Sequence, residues 1–218
     1  MKVYIHPQRI GVQQEGELFS AVTIPVANDW LYASYLLVAG AIGGTVTVAG
    51  LDVFEDAPEK SIFEALQDSA CRMSIRAESI LARNNDLQAF QFDIGKCTSL
   101  YLPLIVLATQ SEGTSVLSNI KVAMAENPAA WDYRMDCFRQ LGIDLVLQDD
   151  LLVIRGRQQL DIATVTDIED GELLLSILLL SLKAAQVVCI HHSNRILEKF
   201  PNALKDLNAL MLQKMDME

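Results

Sequence analysis

The sequence is short of positive charge. Against 28 aspartates and glutamates stand 17 lysines and arginines, for a formal net charge of −11. The basic residues are scattered, with no cluster larger than the Arg155/Arg157 pair. Binding a phosphate backbone needs clustered lysine and arginine, so nucleic acid is excluded as a partner. Phosphorylated small molecules are disfavoured too, unless a local basic pocket overrides the global field. Long apolar runs are also missing: the longest cover residues 30–42 and 173–182, short of the ~20 residues that span a bilayer. The opening Met1-Lys2-Val3-Tyr4-Ile5-His6-Pro7 has neither the hydrophobic segment nor the cleavage site of a secretion signal. These absences predict a cytoplasmic protein without a membrane partner. Cysteine pairs of the Cys-x-x-Cys kind are absent, so Cys71, Cys97, Cys137 and Cys189 read as reduced, mostly buried thiols. Cys189 and His191 share a strand face, but no second ligand pair accompanies them. Neither a metal nor a cofactor is expected.

Hydrophobic residues make up 51% of the 218 residues, enough for a sizeable core. They recur in a pattern. An apolar helix-length run is followed by a small-residue break, a β-rich stretch and an amphipathic helix. The first copy has residues 30–42, Gly43-Gly44, 45–48 and 59–70. The second has 100–109, Gly113, 114–117 and 128–141. The third has 173–182, Ala184-Ala185, 187–190 and 201–212. The spacing of about seventy residues exceeds solenoid periods and suits βαβα units. A helix apolar on every side must be buried on every side. Asn28-Asp29, Thr98-Ser99 and Asp170 are placed to cap the three buried helices, and Asn127 with Pro128 to start the second outer one. Residues 72–76 and 87–92 read as the returning strands of the first unit. Residues 143–147 and 151–155, joined by Gln148-Asp149-Asp150, read as a closing hairpin of the second. The third unit has no such hairpin after it, and residues 2–5 are the candidate replacement. The fold class expected is α/β: one domain, 1–218, of βαβαββ-type repeats at about 17–93, 94–156 and 161–218, with buried parallel helices.

Local motifs sharpen this reading. Asn28-Asp29-Trp30-Leu31-Tyr32-Ala33-Ser34-Tyr35 resembles the Asp-Trp-Ser-Ser-Ala-Ser-Tyr stretch of the EPSP synthase (3-phosphoshikimate 1-carboxyvinyltransferase) family. Gly113-Thr114-Ser115-Val116-Leu117-Ser118-Asn119-Ile120 resembles its Gly-Thr-Thr-x-Leu-x-Asn-Ile strand. Leu141-Gly142-Ile143 and Lys199-Phe200-Pro201 are similar to two further segments, in the same order and spacing. The resemblance runs from about Gly16 to Leu210 and matches the C-terminal half of that two-domain enzyme. It implies an enolpyruvyl-transferase-type domain and, for an active member, transfer of a carboxyvinyl group in the shikimate pathway of aromatic amino acid biosynthesis.

The family's site residues do not carry over. The lysine and arginine of its Lys-Glu-x-x-Arg motif fall on Glu126 and Ala130. The aspartate of its Pro-Asp falls on Ser99. Its Asp-His-Arg falls on Asp170-Gly171-Glu172, and the lysine of Lys-Ser-Phe-Pro on Glu198, with Lys199 one place late. Its Gln-Gly-Asp falls on Ala57-Pro58-Glu59. Phosphoenolpyruvate and shikimate 3-phosphate are polyanions held by charge-assisted bonds from lysine and arginine. Acids in those places repel them by kilocalories. Loss of the acid/base groups costs a further ~10²–10⁴-fold. Three readings stay open: a non-catalytic relative, one part of a split enzyme completed by a partner chain, and other chemistry on the scaffold, as in RNA terminal phosphate cyclase. The expected partner is a second copy, giving a homodimer, or a complementary domain. A ligand would sit at the N-terminal ends of the buried helices, around Asp29, Ser99 and Asp170. Two bland readings accompany these. Trp30 and Trp131 are core residues, and Asp161, Asp167, Glu169, Asp170 and Glu172 form a solvated loop with Asp170 as its cap.

Overall fold

The computed structural model describes residues 2–6, 9–13, 21–160, 164–165, 168–184, 188–191 and 194–212. Strands β1 (Lys2–His6) and β2 (Arg9–Gln13) form an N-terminal hairpin. Strand β3 (Val22–Pro25) leads into helix α1 (Trp30–Gly43), and β4 (Thr45–Ala49) returns parallel to β3. A 3₁₀ turn at Pro58–Ser61 runs into α2 (Ile62–Asp68), followed by the hairpin β5 (Arg72–Arg76) and β6 (Ser79–Arg83). The second unit repeats the plan with β7 (Gln91–Asp93), α3 (Tyr101–Gln110), β8 (Thr114–Ser118), α4 (Ile120–Glu126), α5 (Pro128–Gln140), β9 (Leu145–Gln148) and β10 (Leu151–Arg155). The third has β11 (Thr164–Val165), α6 (Gly171–Ser181), β12 (Val188–His191), α7 (Arg195–Lys199) and α8 (Ala203–Leu212).

Three four-stranded sheets result, ordered β3-β4-β6-β5, β7-β8-β10-β9 and β11-β12-β2-β1. In each, the first two strands are parallel and the rest antiparallel. The N-terminal hairpin therefore occupies in the third sheet the place that β5-β6 and β9-β10 hold in the other two. The return of residues 2–5 is borne out, as a whole hairpin.

Helices α1, α3 and α6 pack against one another at the centre. Residues from the first two sheets join them in one contiguous core. Leu36, Leu37, Leu104, Ile105, Ile177 and Leu178 have at most 1% of their surface exposed, as helices apolar all round require. The helices run parallel: Ile42, Gln110 and Lys183, at or just past their C-terminal ends, line one cavity, and their first turns meet at the opposite pole. Gly40 is needed where α1 crosses its sheet, since a Cβ there would stand 2.7 Å from the Ala82 carbonyl oxygen. No helix among the described residues is long and apolar enough to cross a membrane.

Two expectations need correction. Residues 87–92 are not the partner of 72–76; that partner is β6, whose Ile80 and Ala82 point inward, while β7 opens the second unit. The β5-β6 turn, Ala77-Glu78, carries none of the usual turn residues and needs no positive φ, so nothing marks it in the sequence. The segment after Asn119 is a separate short helix, α4, which Asp150 caps by accepting from the Lys121 N–H at 2.8 Å. Thr98-Ser99 does not cap α3: residues Thr98–Leu100 curl into a 3₁₀ turn, leaving Leu100 at the cap position with no side-chain bond. Ile162, Ala185, Val187, Asp161, Asp167, Met215 and Met217, and the side chain of His191, lie outside the described residues.

Candidate functional site

The first turns of α1, α3 and α6 meet at one pole. Asp29 caps α1, accepting from the Tyr32 N–H at 2.8 Å, and Asp170 caps α6, accepting from the Leu173 N–H at 3.0 Å. Both satisfy orphan donors and place negative charge at a positive helix end. Asp170 has a second duty. Its other carboxylate oxygen accepts from Arg134 Nε at 2.6 Å, while Arg134 NH1 donates to the Tyr101 hydroxyl at 2.6 Å. Arg134 NH2 lies 3.3 Å from the Glu172 carboxylate, whose other oxygen pairs with Lys199. The Arg134 and Glu172 side chains are only 16% and 10% exposed, so these contacts are weakly screened. Burial works against the Arg134 charge, yet its bonds to Asp170 and Tyr101 outweigh that and raise its pKa. Burial and the Arg134 charge push the Lys199 ammonium below its ordinary pKa, while Asp170 and Asp29 pull it back.

The remaining residues of the pole are tied down in pairs. Thr98 donates to Glu126 at 2.8 Å and Ser99 to Glu59 at 3.3 Å. Lys60 donates to the carbonyls of Val53 and Glu55 and lies 4.8 Å from the centre of the Trp30 ring. Lys96 pairs with Glu64. Ala130 offers no side-chain chemistry, its N–H donating to the Asn127 cap at 3.1 Å. Glu198 belongs elsewhere, exposed and paired with Arg195 at 2.8 Å. Asp29, Ser99, Glu126, Ala130, Asp170 and Glu172 thus lie at the helix starts, where Arg134 joins Asp170 to Glu172, and Glu198 is turned away. Glu172 also departs from the solvated-loop reading, being one of the buried charged groups. Trp30 and Trp131 are core residues, 5% and 3% exposed.

Residues 2–207 match the sequence profile of the EPSP synthase (3-phosphoshikimate 1-carboxyvinyltransferase) family. The chain belongs to the EPSP synthase family. The 3-phosphoshikimate 1-carboxyvinyltransferase of Methanocorpusculum labreanum is 22% identical over 197 residues, 90% of this chain and 47% of the relative. That of Pyrococcus abyssi is 23% identical over 211 residues, 96% of this chain and 48% of the relative. The chain spans about half the length of the curated relatives it matches. Among solved structures, EPSP synthase from Acinetobacter baumannii superposes with a TM-score of 0.67 at 16% identity, over 88% of this chain and 46% of that one. The enolpyruvyl transferase NikO from Streptomyces tendae gives 0.61 at 16% identity, over 84% and 42%. The enolpyruvyl-transferase fold is thereby established.

Within this EPSP synthase-family chain, the residue that organises the pole is one the motif comparison passed over. Arg134 lies one helical turn beyond Ala130, so the two share a face of α5. Its signal in the sequence was slight: Arg134 and Arg139 both flank the buried stripe Trp131, Met135 and Phe138, and Arg139 pairs on the surface with Asp136.

Proposed function

We propose that this stretch of an EPSP synthase-family chain is not a carboxyvinyltransferase by itself, and serves as a non-catalytic binding or scaffold unit. One observation supports this above the others. Two of the cations at the meeting of the helix starts, Arg134 and Lys199, are already engaged by Asp170 and Glu172. A polyanionic substrate would have to displace two internal carboxylates and then face Asp29, Glu59 and Glu126 nearby. Serine, alanine and glutamate in place of the family's acid/base and cationic positions support the same reading.

A second reading is one part of a split enolpyruvyl transferase, with basic residues supplied by a complementary chain. It is favoured by the length of the relatives and by Phe54, 87% exposed, in the loop that Asn28 and Glu55 tie to the start of α1. A surface of this kind is covered by association, and a second copy of the chain is the other occupant we propose. Calorimetric titration with shikimate 3-phosphate, with and without phosphoenolpyruvate, tests the first reading. No heat at millimolar ligand is expected. Micromolar binding would overturn it and place the split enzyme first. Sedimentation at several concentrations tests the dimer, which a concentration-independent monomer would rule out.

A further inference from the structure

Two cations converge on one buried carboxylate at the start of α6. Glu172 gives one oxygen to Lys199 and the other to Arg134 NH2 at 3.3 Å, and its side chain is 10% exposed. The other donors of Arg134 are separately fixed by Asp170 and Tyr101, so the guanidinium is held in place independently of Glu172. Gly171 holds this turn tightly against α7, since a Cβ there would lie 2.6 Å from the Arg195 carbonyl oxygen. Lys199 ends that same α7. The geometry is that of an oxyanion held between an arginine and a lysine, with the oxyanion tethered to the chain.

We propose that Arg134 and Lys199 form an oxyanion-binding site that the Glu172 carboxylate fills from within. Removing that carboxylate opens the site to a free small oxyanion, whether carboxylate or phosphate. Lys199, left without its partner, and the freed Nη2 of Arg134, whose other donors stay with Asp170 and Tyr101, bind such an ion with charge-assisted bonds. The inference deepens the non-catalytic reading: a site already filled by its own side chain has no need of substrate.

The test uses E172A, which leaves a space of side-chain size, and E172Q, which keeps the shape and removes the charge. Binding of propionate and of inorganic phosphate is measured by calorimetry at constant ionic strength, in the wild type and both variants. The expected result is at least about tenfold tighter binding of one of the two ions to E172A than to wild type, equivalent to about 1.4 kcal/mol. E172Q should gain less, because its amide still fills the space, and E172A/K199M should lose the gain. Preference for propionate would identify a carboxylate-shaped site, preference for phosphate a site set by charge. The proposal is overturned if folded E172A binds neither ion better than wild type does, or if K199M leaves the gain intact. It is equally overturned if both single variants lose their native near-ultraviolet dichroism, since Glu172 is then a structural strut. Binding of shikimate 3-phosphate to wild type would strike the non-catalytic reading alone. The ratio of variant to wild type decides the present one.

Discussion

The two poles of the three-helix core solve opposite problems in different ways. At the N-terminal pole, positive helix ends are met by Asp29, Asp170 and Glu172, and Arg134 and Lys199 then neutralise two of those acids. At the C-terminal pole, the negative ends of α1, α3 and α6 face a polar cavity of about 230 Å³, lined by Ile42, Asn84, Gln110, Glu112, Arg157 and Lys183. Lys183 stands there just past the end of α6, its pKa pushed down by burial, while Arg157 pairs with Glu112 on the exposed rim at 2.8 Å. The lesson concerns screening. Neutral donors meet one set of helix ends, Asn84 Nδ2 donating to the Ala41 carbonyl and the Gln158 N–H to that of Thr109, so few fixed charges suffice. At the other, Arg134 and Glu172 are largely buried and must be matched, while Asp29 stays exposed.

The contrast is open to direct attack. R134A should do the most damage, about 3 kcal/mol in urea unfolding, because Asp170 and Glu172 lose their shared cation in a mostly buried setting. A loss below 1 kcal/mol would mean that the network is solvated and the poles alike. G171A should cost about 2 kcal/mol, since its new Cβ must push the Arg195 backbone, and with it α7, away. D29A removes a cap without touching the ion pairs and should lower stability by about 1 kcal/mol. At the opposite pole K183A should cost only about 0.5 kcal/mol, and a cost equal to that of R134A would erase the contrast.

The smallest effect should come from pH. Burial raises the Asp206 pKa, although the Tyr32 hydroxyl donating to it at 3.0 Å works the other way. A carboxyl that titrates higher when folded binds its proton more tightly in the native state. Its contribution is therefore greatest in acid and is lost as the pH rises through the raised folded pKa. D206N should flatten that part of the stability profile, and an unchanged profile would remove Asp206 from the account.

Much of the scaffold was readable along the chain because it rests on local rules. Helices α1, α3 and α6 announced themselves by having no polar face, and Asp29, Asn127 and Asp170 by the oxygen that an exposed helix start requires. The β9-β10 hairpin was legible from Asp149-Asp150 between apolar runs, and Asp149 takes up the positive φ of 53° that such a turn needs. The β5-β6 hairpin was hidden for the converse reason, a turn of Ala77-Glu78 with no special geometry. Ser99 looked like a cap because serine caps helices. Its hydroxyl instead reaches Glu59, forty positions away in the chain, and no local pattern records that.

Of the site, the sequence by itself determined the inventory. By the family resemblance, acidic or neutral residues fall where cations and acid/base groups would serve a polyanionic substrate, and two arginines, Arg134 and Arg139, flank an apolar stripe. It also determined that three helices must be buried, since nothing else satisfies an all-apolar surface. Tertiary structure alone decided which charges meet. Glu126, Glu172 and Glu198 look equivalent as replacements, yet one accepts from Thr98, one lies buried between Arg134 and Lys199, and one faces outward with Arg195. Structure likewise decided the strand order of the third sheet, in which β2 and not β1 lies against β12. Burial and capping follow from a residue and its near neighbours. The partner of a charge, or of a strand edge, is set by segments that only folding brings together.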